Sequence, residues 1–243
     1  EYSASLWMTR TAWLTARMLC LDEQKTPPPE TLEFWTKAGM RPDILEGRKK
    51  GKPFNFADAV SGLPLGFRRI VDNEEFKIGN RLWKVRTGNG HAPEQATLWS
   101  TSDQIVLAGD QIISSISPNL GVYATEPDAN PVKEWIDTCH KLSQFASDDH
   151  LTLSGHKLPF KGLKFRLQQM VENHEHALER LINFLEKPHT AEECFSVLFG
   201  KSIQNSEYGL ALVESVAHVN YLFLEGTVSR VMDRAGAFRY QSL

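Results

Sequence analysis

The spacing of hydrophobic residues changes along the chain from a helical period to a strand period and back. Near the N-terminus, apolar residues recur every three or four positions, which predicts helices over Thr9–Leu21 and Glu30–Gly39. The stretch Arg41–Gly66 lacks such a period and carries a run of basic residues. We therefore predict a solvated loop there, with a lid or a contact to substrate phosphate as the alternative.

The middle of the chain has the shorter period of β-strands. Short apolar runs alternate with turns rich in Gly, Asn and Asp, which is typical of neighbouring strands. Longer amphipathic stretches among them predict two further helices. The predicted strands are Phe67–Val71, Phe76–Ile78, Leu82–Arg86, Ala96–Ser100, Gln104–Ala108 and Leu151–Leu153, and the predicted helices are Pro131–Phe145 and Leu163–Glu186.

The C-terminal segment has a different order of elements. Thr190 is followed three residues later by Glu193, which is the spacing of a capping box at the start of a helix. A second helix is predicted over Ser206–Glu225, and two short strands are predicted after it. Helix, helix, strand, turn, strand is the order found in a winged helix. We therefore predict two domains, residues 1–188 and residues 189–243.

Composition and charge exclude some classes of function. The chain has 243 residues with 27 basic and 30 acidic side chains, a formal net charge of −3, so nothing indicates nucleic acid as an obligatory partner. Three cysteines without CxxC spacing argue against a disulfide framework or a zinc knuckle. We expect a cytoplasmic protein without a membrane span. The predicted winged helix has four basic and six acidic residues, which favours a structural or dimerisation role over DNA binding.

Three candidate metal ligands follow glycines at the ends of predicted strands. His91 follows a glycine-rich turn, Asp110 follows Gly109, and His156 follows Gly155. Imidazole and carboxylate groups suit zinc and similar divalent ions, and glycine permits the tight turn that carries a side chain off a sheet edge. Each residue alone has an ordinary explanation as a turn former or surface residue. Their shared setting is what predicts a metal site.

The segments GNGHAPEQATLWSTSDQIVLAGDQI and SGHKLPF resemble the second half of the metallo-β-lactamase fold family of hydrolases. The resemblance extends over Ser5–Phe184, and residues 190–240 resemble the winged-helix extension of one branch. It implies an α/β fold, namely the αββα sandwich (second half plus the end of the first half), followed by a small winged-helix-like domain. It also implies His91, Asp110 and His156 as metal ligands. Asp110 would bridge two divalent ions, for which zinc is favoured over iron and manganese.

The chain departs from this family in one respect. The family's HxHxDH motif supplies further ligands and an aspartate that handles the proton, and it is absent because no histidine precedes His91. We therefore expect an N-terminally incomplete fragment that exposes apolar surface where the first half-sheet would pack. The catalytic residues themselves stay unidentified, and the chain alone is expected to be inactive if the missing ligands are essential.

The function that the resemblance implies is hydrolysis of small thioesters, lactones or related esters by hydroxide activated between two metal ions. The alternatives are phosphodiester cleavage of RNA, as an endoribonuclease, and a non-catalytic role as an interaction module. Ser117 and Asn119, on the loop after Asp110, are expected to contact a small-molecule substrate, with a plain turn as the alternative. Whether the chain forms a homodimer is left open.

Overall fold

The computed structural model describes residues 4–200, 203 and 206–243. The chain divides into two compact units whose segments interleave along the sequence. The first unit comprises Glu1–Glu23, Asn55–Pro118 and Glu134–Val171, and the second comprises Gln24–Phe54, Asn119–Lys133 and Glu172–Leu243. These units are defined by packing. The division into domains 1–188 and 189–243 stays a prediction about the sequence.

A five-stranded sheet forms the centre of the first unit. Its strands are β3 (Glu75–Ile78), β4 (Arg81–Gly88), β5 (Gln95–Ser100), β6 (Ile105–Gly109) and β7 (Leu151–Ser154), and a separate parallel pair is formed by β1 (Trp7–Met8) and β2 (Arg68–Arg69). The strands lie in sequence order across the sheet. Neighbours are antiparallel, except that β6 and β7 are parallel. The predicted strands are thus present, with ends displaced by a few residues.

Alternation of apolar side chains explains how one face of this sheet is covered. Trp83 and Val85 of β4 are two residues apart, so they point to the same face, and both are buried. They pack in one cluster with Ile70 and Phe76, and Trp7 covers that cluster with its ring edge-on to Phe76 at 5.0 Å between centroids. The cluster therefore connects the sheet to the two-stranded pair.

Three helices contribute to the first unit: α1 (Arg10–Leu21), most of α4 (Pro131–Ser143) and the start of α5 (Leu163–Phe184). In contrast to α4 and α5, α1 has no buried residue. Its Leu14, Met18 and Leu21 lie along one face and are 55%, 44% and 67% exposed. The first unit thus presents an exposed apolar helix face. That a missing half-sheet would cover apolar surface of this unit stays a prediction. None of the helices in the described part of the chain combines the length and the hydropathy that a membrane span requires.

The second unit is mainly helical. It contains α2 (Pro29–Lys37), α3 (Pro42–Lys50), α6 (Phe195–Phe199), α7 (Tyr208–Leu224), the antiparallel strands β8 (Val228–Met232) and β9 (Phe238–Ser242), and the rest of α5. The predicted capping box is present, since the backbone N–H of Thr190 donates to Glu193 Oε2 at 2.8 Å and that of Glu193 donates to Thr190 Oγ1 at 3.3 Å. The predicted order of helices and strands is also present. Its identity as a winged helix stays a prediction.

The prediction of a loop over Arg41–Gly66 is wrong in its first part, where α3 forms. Pro42 occupies the first helical position, which suits a residue without an N–H group, and Asp43 lies in the positively polarised first turn. Basic residues end the helix, where they complement its dipole. Its only large apolar residues are Ile44 and Leu45, so the helix has no apolar stripe that a periodicity argument could detect.

Candidate metal site

The ends of β4, β6 and β7 meet at one edge of the five-stranded sheet. Strands β6 and β7 are parallel, and Gly109 is paired with Ser154 where they end. The backbone N–H of Gly155 donates to the carbonyl oxygen of Gly109 at 2.8 Å. Because β4 is antiparallel to β5 and β5 to β6, β4 ends at this edge as well. Side chains that follow these three strands are therefore brought together.

Asp110 is the shared member of the group at this edge. Its Oδ2 atom lies 3.7 Å from His91 Nε2 and 3.5 Å from His156 Nε2. Both separations exceed the roughly 2.7–3.2 Å of an ordinary N–H···O hydrogen bond. Two atoms bound to one tetrahedral zinc ion at about 2.0–2.2 Å lie roughly 3.4 Å apart. Each histidine–aspartate pair therefore has the spacing of two ligands of one ion.

The second carboxylate oxygen of Asp110 is buried. Its Oδ1 atom has no hydrogen-bond partner among the described residues, although buried polar atoms normally have one. A Cβ atom on Gly155 would lie 2.4 Å from this oxygen. Glycine therefore leaves the room that the carboxylate occupies, and a cation would satisfy the oxygen that no described donor reaches.

Glycine is also required immediately before Asp110. Gly109 has a φ of 54°, in the left-handed region that side chains disfavour. A Cβ atom there would lie 2.8 Å from Nε2 of Gln95. Backbone conformation and close packing thus both explain why this strand ends in glycine, and the turn at Gly109 carries Asp110 away from the sheet.

The arrangement is two pairs that share one oxygen. In the part of the chain that the structure describes, no three His, Cys, Asp or Glu side chains are placed to hold a metal ion together. The side chains of His91 and Asp110 are 28% and 29% exposed, whereas that of His156 is 66% exposed. Solvent therefore reaches the group mainly on the side of His156.

The turn that carries His91 is held by Glu94. The backbone N–H of Glu94 donates to Asn89 Oδ1 at 2.7 Å, and its carbonyl oxygen accepts from Thr9 Oγ1 at 2.8 Å. Its carboxylate accepts from the backbone N–H of Thr11, in the first turn of α1, at 2.9 Å. Burial alone would raise the pKa of Glu94. The hydrogen bonds from Thr11 and the positive charge of nearby arginines outweigh burial and lower this pKa. Glu94 thus connects the His91 turn to α1.

The loop after Asp110 is anchored through its backbone carbonyl groups. The largest contribution comes from Arg166 of α5, which is only 7% exposed. Arg166 donates to the carbonyl oxygens of Ile113 at 2.8 Å and Ile116 at 2.9 Å. The indole N–H of Trp135 donates to the carbonyl oxygen of Gln111 at 3.2 Å. The hydroxyl group of Ser154 donates to the carbonyl oxygen of Ile112 at 2.7 Å. These bonds satisfy carbonyl groups of the loop, three of which belong to the buried residues Gln111, Ile112 and Ile113.

Sequence reasoning missed Glu94 and Arg166. A usable signal exists for Arg166, because it interrupts the buried stripe of α5 between Leu163 and Leu167, and a charged residue on an apolar stripe needs polar partners. For Glu94, no comparable signal exists. Its partners lie far away in the sequence, and nothing in the local spacing identifies them.

The predicted substrate contacts, Ser117 and Asn119, lie on the loop that follows Asp110. Ser117 is half-buried. The amide nitrogen of Asn119 donates to Glu214 Oε2 at 2.6 Å and to Leu210 O at 3.4 Å, both on α7. That nitrogen is therefore engaged within the second unit. A role for either residue in substrate binding stays a prediction.

Comparison with known proteins bears on the fold. Residues 178–243 match the family model described as Metallo-beta-lactamase-like, C-terminal domain. The chain is 28% identical to a beta-lactamase domain protein from Burkholderia ambifaria, with a TM-score of 0.89 over 99% of this chain and 67% of that one. It is 21% identical to a metallo-beta-lactamase family protein from Thermus thermophilus, with a TM-score of 0.77 over 99% of this chain and 72% of that one. These similarities support a mixed α/β fold of the metallo-β-lactamase type.

Proposed function

We propose that this chain carries the bridging part of a two-metal hydrolase site. The observation that supports this most directly is the carboxylate of Asp110, whose Oδ2 atom is shared by His91 and His156 at 3.7 and 3.5 Å. The buried Oδ1 atom, which has no described partner, adds a second reason to expect a cation there. The similarities to metallo-β-lactamase proteins support a metal-dependent hydrolase in general terms.

The three side chains fit part of such a site. His91 and His156 would each give one imidazole nitrogen to a different ion, and Asp110 would contribute to both. Each ion would then have two protein ligands from these residues, whereas a catalytic zinc ion typically has three. We propose zinc ahead of iron or manganese, because imidazole and carboxylate donors suit it. Bound divalent ions would lower the pKa of a water molecule and polarise a carbonyl group.

The surrounding residues position these donors. Gly109 and Gly155 leave space for Asp110, and Glu94 holds the turn of His91 against α1. The exposed side of His156 is where we propose that a small-molecule substrate enters. The substrates we propose are small thioesters, lactones and related esters, with Ser117 and Asn119 as contacts. We propose a cytoplasmic enzyme whose winged-helix-like tail has a structural or dimerisation role.

Metal binding by the purified chain tests the site. Equilibrium dialysis against zinc, manganese or ferrous iron, followed by elemental analysis, should show zinc binding that weakens at least about tenfold in Asp110→Asn. Asp149→Asn is the matched control, because it removes an exposed carboxylate next to another histidine. Equal zinc affinity in wild type and Asp110→Asn would contradict the proposed ligand role.

An activity panel then tests the reaction. Zinc-loaded chain should hydrolyse short acyl thioesters or lactones, and Asp110→Asn should abolish that activity. Cleavage of single-stranded RNA without thioester hydrolysis would replace the ester proposal with the phosphodiester alternative. Zinc binding without either activity would indicate that the residues of this chain do not suffice for hydrolysis. Absence of bound metal in a folded sample would instead favour the non-catalytic alternative, an interaction module.

A further inference from the structure

The second unit contains a pocket that includes none of the three candidate metal ligands. Its volume is about 410 Å³, within the roughly 300–1,000 Å³ typical of small-molecule sites. Helices α2 and α7 and strands β8 and β9 contribute to its wall. The apolar part of that wall includes Phe34, Ala38, Val216 and Phe238. The pocket therefore offers apolar surface to a ligand of modest size.

A buried hydrogen-bond acceptor forms part of this wall. Asn220 is only 1% exposed and lines the pocket. Its Nδ2 atom donates to Pro127 O at 2.9 Å and to Ala129 O at 3.2 Å. Because two carbonyl oxygens fix the orientation of the amide, the remaining atom is the acceptor Oδ1. That oxygen has no partner among the described residues, so a ligand with an N–H or O–H donor would satisfy it.

The charged side chains of the pocket favour the same kind of ligand. Lys37 forms an ion pair with Glu33 at 2.6 Å, and Arg230 forms one with Asp128 at 3.3 Å. Both cations therefore have carboxylate partners. Glu30 adds a third, exposed carboxylate to the lining. The excess of negative charge disfavours an anionic ligand and favours a cationic one.

We propose that this pocket binds a small molecule with an apolar ring and a protonated amine. The ring would lie against the apolar wall near Phe34 and Val216. A donor on the ligand would reach Asn220 Oδ1, and the amine would lie near Glu30. This site is independent of the proposed hydrolase activity, because none of its lining residues takes part in that activity.

A matched set of indole compounds tests the proposal. Tryptamine, tryptophol and indole-3-acetate share one ring system and differ in the charge of the head group. Isothermal titration of the full chain should show the tightest binding for tryptamine and the weakest for indole-3-acetate, with about tenfold between the two dissociation constants. Equal affinities, tighter binding of the acid, or no saturable binding of any compound would overturn the proposal.

Two variants place the binding in this pocket. Ala124→Leu adds bulk to the lining and should abolish tryptamine binding. Glu30→Gln should weaken it by about threefold. Glu175→Gln removes an exposed carboxylate of α5 that is not part of the lining and should leave the affinity unchanged. Thermal melts confirm that each variant is folded. Unchanged binding in folded Ala124→Leu would place the ligand elsewhere and overturn the proposal.

Discussion

Two groups in this chain contain two histidines and a carboxylate, and the fold places them in different surroundings. The strand-end group of the first unit comprises His91, Asp110 and His156, and the helix-core group of the second unit comprises His174, His218 and Glu214. In the strand-end group, both histidines face the carboxylate and stay partly exposed. In the helix-core group, His174 Nδ1 and His218 Nε2 face each other at 3.4 Å, and the two residues are 5% and 3% exposed.

The difference shows that residue types alone do not identify a metal site. Burial, and then the neighbouring His218, lowers the pKa of His174 to about 3, and burial also lowers that of His218. Burial raises the pKa of Glu214 to about 7, although the hydrogen bond from Asn119 opposes this. Burial thus favours the uncharged forms of the helix-core group. The strand-end group keeps solvent access and directs two imidazoles at one oxygen.

The largest expected effect tests whether the strand-end group depends on its surroundings. Arg166→Met removes the donors to the carbonyl groups of Ile113 and Ile116, in the loop after Asp110. Leaving the buried carbonyl group of Ile113 without a donor, and removing the partly buried bond to Ile116, should lower the free energy of unfolding by about 3 kcal/mol. Urea unfolding followed by circular dichroism measures the change.

Lys164→Met is the control for this prediction, because it changes an exposed residue in the same turn of α5. It should alter stability by less than about 0.5 kcal/mol. Similar losses in both variants would show that the long apolar side chain, and not the lost anchoring of the loop, causes the effect.

The free energy of unfolding should depend on pH because of Glu214 in the helix-core group. Glu214 has a pKa raised from 4.5 to about 7 in the folded chain, so its stabilising contribution is present below pH 4.5 and is lost as the pH rises through 7. The side-chain amide of the Glu214→Gln variant cannot ionise. The variant should therefore match wild type near pH 4.5 and exceed its stability by about 2–3 kcal/mol at pH 8.

Urea unfolding of both proteins at the two pH values measures this difference. The loss of stability that His174 and His218 cause below pH 6.5 is common to both proteins and cancels in the comparison. A difference of the same size at pH 4.5 and pH 8 would contradict the assignment, because it would show a packing effect instead of a titration.

Much of the fold follows from local sequence signals. Short apolar runs separated by turn residues predict the strands of the central sheet. The Thr190–Glu193 spacing predicts a capping box that is present. Helix α3 is missed because Ile44 and Leu45 are its only large apolar residues, so its sequence has no apolar repeat at helical spacing. Helix α1 buries no residue either, but its apolar residues recur at helical spacing and therefore predict it.

The site is predictable only in part for a related reason. Glycine before Asp110 and His156 is a local signal, and the structure explains it by the space around Asp110. The partners that hold the group are not local. Glu94 bonds Thr11 across 83 residues and Arg166 bonds Ile113 across 53. Such pairings depend on strand order and register, which a single sequence does not contain.

Gly155→Ala tests the space around the carboxylate directly. A Cβ atom would lie 2.4 Å from Asp110 Oδ1, so the carboxylate must move. We expect zinc affinity to fall about tenfold, which is roughly 1.4 kcal/mol. Gly66→Ala is the control, because a Cβ there meets nothing within 4 Å. Equilibrium dialysis of both variants measures the change, and equal zinc affinities would show that the position of Asp110 does not decide binding.

The smallest expected effect concerns Glu94, whose titration runs opposite to that of Glu214. Burial alone would raise the pKa of Glu94. The hydrogen bond from Thr11 and the positive charge of nearby arginines outweigh burial and lower this pKa below 4.5. Its contribution is therefore present above pH 4.5 and is lost as the pH falls through the lowered pKa. Glu94→Gln should reduce stability at pH 7 by about 0.5 kcal/mol, since the carboxylate lies at the N-terminus of α1 and is largely solvated. Urea unfolding should show this difference vanish at low pH, whereas the difference for Glu214→Gln grows at high pH. A change in stability of the same sign in both variants would mean that burial does not cause the opposite pKa shifts of Glu94 and Glu214.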